Sequence, residues 1–413
     1  MNHAANSSIT TRAYEIVPGS AGHIGLRLEA VSLVHARVEG EQLVGRDVTV
    51  INRAVLLGSE DGAELSGFPV PPLQVVDGSI TPDPARGGVR AKVNRRESGA
   101  RNAEITQATH FGMVNAFHHV AAAATRTNRL LAELGVAPLP RVIVVVGAHF
   151  GSRSPGFAQG DGDERSGRFR PFSGGHYRVS TIASGILEPV PIAPTGEIHL
   201  GPGRARRPYG GDPSYLIGAA HNPATMYHEF GHHLCRHTAD FRLNAERRAT
   251  GQRNGKLGVE EGIADYLAAS LLGTGRPYGW YRPERGRHRD PAAMRSDEAT
   301  DALATDPHEA GRPWAAALWR TRERLLAEGL LPDAAAHDRA LIDALLEIGR
   351  VAARSGDPRP RSQRQTERGA PETVVRAYVA AVARAAGPRA GRIAETAMRH
   401  SGVLDIATTV VDE

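Results

Sequence analysis

Apolar and polar positions change their period along the chain. Between residues 12 and 100 the apolar positions come in short runs. Ile24–Val31 and Val48–Ile51 have strand composition, and Val89–Val93 alternates apolar with polar. Clustered breakers at Gly67, Pro69, Pro71, Pro72, Pro82 and Pro84 mark loops between them. From Thr106 to Gly135 the spacing turns helical: Phe111, Val114, Phe117, Ala121, Leu130, Leu131 and Leu134 recur at helix spacing, and Gly135 is placed to end it. The β-branched run of Arg141–Ala148 predicts a buried strand, and His176–Ala183 and Gly196–Leu200 predict further strands. After that the period stays helical, over 223–235, 258–273, from His308 through Leu325, 333–348, 371–386 and 389–400. Strands with one long helix, followed by helices alone, predict an α+β fold. The expected organisation is a β-rich region over 1–100, a second segment over 101–250 and a mainly helical segment over 251–413. The first region reads either as an accessory, propeptide-like module or as strands extending the main sheet.

Composition narrows the classes. The chain has 413 residues, 41% hydrophobic but only 5% aromatic, so its cores must lean on Ala, Val, Leu and Ile. Its 50 basic and 45 acidic residues leave a net charge of +5, with arginines spread among acids and no nucleic-acid-reading motif, so no nucleic-acid partner is expected. The one cysteine, Cys235, excludes an intramolecular disulfide framework and reads as a small buried hydrophobe. No apolar stretch reaches the roughly 20 residues that a membrane span needs. Met1–Thr11 is polar and lacks the apolar run of a signal peptide, which gives the expectation of a cytoplasmic protein, or of a secreted one if a leader has been removed.

The chemistry concentrates in His228-Glu229-Phe230-Gly231-His232, an HExxH pattern. Two histidines four apart share one helix face and can hold one metal ion, and the intervening glutamate can face a metal-bound water. Asn222 suits the N-cap and Pro223 the first helical position. Gly231 costs about 1 kcal/mol of helix propensity relative to Ala, which suggests close approach of another segment. The bland alternative is a core helix with hydrogen-bonded histidines. A catalytic zinc usually takes three protein ligands and a water. The segment Gly258–Gly273 offers candidates: Val259, Ile263, Tyr266, Leu267, Leu271 and Leu272 form an apolar stripe, with Glu261 and Asp265 together on one face. Glu261 can ligate zinc, and Asp265 can accept the free ring N–H of a ligand histidine. Glu260 reads as a surface acid of a first helical turn.

HEFGHH and EEGIADYLA together resemble the gluzincin metallopeptidases, the thermolysin-like peptidases and more closely the fungalysins. These carry HExxH on one helix and a glutamate in E-[AG]-x-[SA]-D on a second. The resemblance spans roughly residues 105 to 330. It implies a thermolysin-like zincin domain, with mixed sheet and active-site helices, followed by a mainly helical C-terminal region. It implies Zn²⁺ held by His228, His232 and Glu261, with Asp265 behind a ligand imidazole. Pro307–Trp319 resembles the fungalysin segment H-x-x-G-x-x-W-A-x-x-L, which makes His308 the residue that helps bind the developing oxyanion; a purely structural place at a helix N-terminus is its other reading. The activity implied is hydrolysis of peptide bonds in an extended peptide or protein substrate, with Glu229 as general base. Two other readings stand beside it: a zinc hydrolase of a non-peptide amide, and a non-catalytic metallopeptidase-like scaffold.

Several further features are read as structural. His110, His118 and His119 lack an acidic or cysteine partner at metal spacing. Asn115-Ala116-Phe117 has the letters of a substrate-binding edge strand but lies in a helical run. Gly160–Glu164 lacks the full spacing of a calcium loop. The loop carrying Arg204, Arg206 and Arg207 reads as solvated, with contact to an acidic substrate as the alternative. One of the two strands after residue 175 is expected to border the active site, where an extended peptide could pair with it.

Overall fold

A computed structural model describes residues 8–19, 24–52, 71–82, 98–147, 149–150, 170–171, 174–178, 193, 195–201, 218–241, 255–278, 289–294, 307–352 and 369–403. The alternating segment at 89–93, the acidic loop at 160–164 and the arginine loop at 204–207 lie outside them. The chain divides into two compact units, one built from residues 1–17, 25–125 and 140–229, the other from 18–24, 126–139 and 230–413.

The first unit carries the sheet. Strands β1 (Ser8–Pro18) and β2 (Ile24–Val34) pair with each other. A second, six-stranded sheet has the order β3-β4-β5-β6-β10-β9, with β3 at Arg37–Glu39, β4 at Gln42–Val44, β5 at Val48–Asn52, β6 at Val142–Val146, β9 at Gly175–Arg178 and β10 at Glu197–Leu200. Strands β7 (His149–Phe150) and β8 (Arg170–Pro171) form a short separate pair. The centre of the larger sheet is parallel, β5 with β6 and β6 with β10, while β9 returns antiparallel beside β10. Among the described residues β9 is therefore an edge.

Helix α1 (Ser98–Glu133) supplies Phe111, Val114, Phe117 and Val120 to the core of this unit, all buried. A side chain at Gly45 would strike the Phe117 ring, and one at Gly112 would press on Val146 and Ala220, so glycine is what lets these segments approach. Asn115 is buried within α1, accepting from the Tyr14 N–H and donating to the Ala220 carbonyl. It ties β1 to the turn before the next helix and lies on no edge strand. His118 pairs with Glu15, His119 sits between Tyr227 and the Tyr14 carbonyl, and His110 bonds the Pro71 carbonyl. Each of these three histidines has a structural partner, and for His118 that partner is an acid.

The second unit is helical: α3 (Gly255–Leu272), α4 (Pro307–Ala327), α5 (Ala334–Ala352), α6 (Pro371–Ala386) and α7 (Pro388–His400), with the second half of α2 (Pro223–His237). Its core joins Leu234, Ile263, Trp314, Leu318, Leu341, Leu345, Tyr378 and Met398. Helices α3 and α4 come closest: a Cβ on Gly262 would lie 2.4 Å from the Gly311 carbonyl oxygen, and one on Gly258 2.7 Å from that of Ala310. A polar cluster lies within the same unit. Asp338 accepts from Tyr266, Ser270 and Arg126, and His337 lies between the hydroxyls of Tyr266 and Tyr378, 2.6 Å from each. Together these place a mixed sheet with active-site helices ahead of a helical region, the thermolysin-like α+β architecture.

Candidate metal centre

Helix α2 begins where the sequence predicts. The Asn222 side chain accepts the Ala224 N–H at 3.0 Å and Pro223 occupies the first turn. Gly231 faces α3, where an added Cβ would lie 2.7 Å from the Ala264 Cα; the close approach inferred from that glycine is there.

His228, Glu229 and His232 project from one face of α2 with ligand atoms all within 4.8 Å of one another, and all three are buried. His228, Glu261 and His308 form a second group under the same limit. The Glu261 carboxylate links the sets: its Oε2 is 3.5 Å from His232 Nε2 and 3.5 Å from His308 Nε2. Glu261 comes from α3 and His308 from the first turn of α4. The glycine contacts between those helices set this spacing, since Gly311 packs directly on the Glu261 Cβ. Glu261 is only 3% exposed, whereas the His308 side chain is 40% exposed, so the site opens to solvent on the His308 side.

Glu260 departs from its expected place. It is buried, and its Oε1 lies 2.7 Å from His232 Nδ1. The cause is visible along α3, where every residue from Gly258 to Ser270 is buried, leaving the helix no solvent face for an acid. Nδ1–H donates to Glu260, and Nε2 is turned toward Glu261, where its lone pair would serve a bound metal ion. Burial alone would lower the His232 pKa, but Glu261 and Glu260 outweigh it and hold the ring well above its ordinary value. Several buried carboxylates converging on imidazoles are costly without a cation.

Asp265 is fully buried and accepts from the Tyr278 hydroxyl at 2.5 Å and from Arg289 at 2.6 Å. The Arg289 guanidinium also stacks on the Tyr278 ring, 4.6 Å from its centroid. Neither Tyr278 nor Arg289 stands out in the sequence, because both come from an irregular charged stretch without periodicity. Cys235 is buried, and burial, with Glu260 and Glu261 nearby, pushes its thiol pKa well up; it is a packed apolar group rather than a ligand.

Two imidazoles four apart and a glutamate from a second helix are a donor set suited to Zn²⁺. The arrangement matches that of a gluzincin, thermolysin-type zinc-peptidase active site. No protein-family model matches the chain, and no curated protein matches it. The assignment therefore rests on the side chains themselves: His228, Glu229 and His232 form one group that could hold a metal ion, and His228, Glu261 and His308, the last at the open side, form another.

Proposed function

We propose that this protein is a zinc-dependent peptidase that cleaves peptide bonds in extended substrates. The observation that carries the reading is the convergence of His228, Glu229, His232, Glu261 and His308 from three helices. Zinc, when bound, is a Lewis acid that lowers the pKa of a coordinated water and polarises a carbonyl. With the metal bound, Glu229 would take a proton from the attacking water on its carboxylate and pass it to the leaving nitrogen. His308 offers its ring N–H to the carbonyl oxygen as negative charge develops there. Glu260 holds the His232 ring in its ligating orientation, the role expected of Asp265, whose carboxylate is instead engaged by Arg289 and Tyr278.

Edge strand β9 supports the extended-peptide reading. The Gly174 carbonyl bonds the Gly201 N–H on the β10 side. Directions alternate in an antiparallel ladder, so Gly175 turns its own N–H and C=O toward the open edge. A substrate strand added there would run beside Glu229, which touches the Gly175 position. The test is cleavage of a mixed peptide library, read by mass spectrometry, for wild type and Glu229→Gln. We expect wild-type cleavage, with kcat falling about a thousandfold in the variant while zinc is retained. Undiminished cleavage by a folded, zinc-loaded Glu229→Gln protein would overturn the mechanism.

A further inference from the structure

Gly175 is the first residue of β9, and its backbone is not in the left-handed region, so conformation does not require glycine there. Space does. A Cβ at this position would lie 2.7 Å from Glu229 Cγ, 2.9 Å from Glu229 Oε1 and 2.7 Å from Thr225 Cγ2. Real Cβ atoms do not approach carbon or oxygen so closely, and Glu229 is confined by its own burial on α2. The edge strand thus forms one wall of the pocket that holds the carboxylate.

We propose that Gly175 is a positioning residue for the general base: its missing side chain is what allows the Glu229 carboxylate to lie against the edge strand in its working orientation. The proposal rests on the peptidase reading above. A Cβ at 175 meets Glu229 and Thr225 first, and its three nearest atoms include none of His228, His232 or Glu261. A positional error of about 1 Å at a reacting group costs on the order of a hundredfold in rate.

The experiment compares Gly175→Ala with Gly175→Ala/Thr225→Ala, in which the second change removes the methyl on the other side of the new Cβ. Each is assayed for zinc per chain, melting temperature, and kcat and KM on one peptide that the wild type cleaves. We expect the single variant to keep wild-type zinc, to lose about 10- to 100-fold in kcat with KM little changed, and to recover part of that loss in the double variant. A zinc-loaded Gly175→Ala protein with kcat within about twofold of wild type overturns the proposal. If neither variant folds, glycine serves the packing of β9 on α2, and the positioning role is likewise overturned. If only the double variant folds, and it turns over substrate, the crowding at Thr225 and Glu229 is confirmed as the cause. Glu229→Gln, run in parallel, separates the two claims: an active Glu229→Gln defeats the peptidase mechanism itself, whereas an inactive one beside an active Gly175→Ala defeats only the role of Gly175.

Discussion

At the scale of single residues, Glu260 decides how His232 is held. A buried carboxylate 2.7 Å from the ring Nδ1 fixes the tautomer and makes the opposite nitrogen a better donor. Glu260→Ala should weaken zinc binding about 10- to 100-fold, measured by competition with a chromophoric chelator. Unchanged affinity would reduce Glu260 to a structural acid. HExxH fixed His228, Glu229 and His232 in advance, because residues four apart share a helix face whatever surrounds them. Glu261 and His308 were accessible only through their motifs, since the sequence does not say which helices approach one another. Glu260 was misread for a definite reason: an acid in a first turn is ordinarily solvated, and only the burial of α3 on every side removes that option.

At the scale of elements, the polar cluster Tyr266–His337–Tyr378 with Asp338 links α3, α5 and α6. Tyr266 donates to Asp338, so it accepts from His337 Nδ1–H, and the other ring nitrogen accepts from Tyr378. The ring is thereby held neutral. Burial, with Arg322 nearby, pushes its pKa down to about 3 from the usual 6.5. His119, buried beside His118, is likewise pushed down to about 3. Between these values and 6.5 the unfolded chain binds protons that the folded protein refuses. Stability is therefore undiminished above pH about 6.5 and falls as pH drops toward 3, by at most about 1.4 kcal/mol per pH unit for each ring. Urea unfolding from pH 7 to 4 should show this slope, and His337→Gln should make it shallower. An unaltered slope would show that His337 does not stay neutral in the fold. The helices themselves were legible from apolar spacing, though not all of their ends: the first begins at Ser98, about two turns before Thr106. Strand β1 was not. Its inward positions are Ile9, Thr11 and Ala13, so a polar and a small residue stand where an apolar alternation would have marked it.

At the scale of the whole molecule, the α+β order was legible because strand-like and helical periods occupy different stretches. The sheet order was not, since β5, β6 and β10 are adjacent in the sheet but far apart in sequence, and only packing selects their parallel pairing. Among the described residues that pairing leaves β9 at the edge of the sheet, with Gly175 against Glu229. Everything proposed for this site depends on the metal. Elemental analysis of protein purified without added metal, for wild type and Glu261→Ala, tests it most directly. About one zinc per wild-type chain, with most of it lost in the variant, is the predicted result. No zinc in either protein, even after reconstitution with zinc, would contradict the metal site and with it the peptidase.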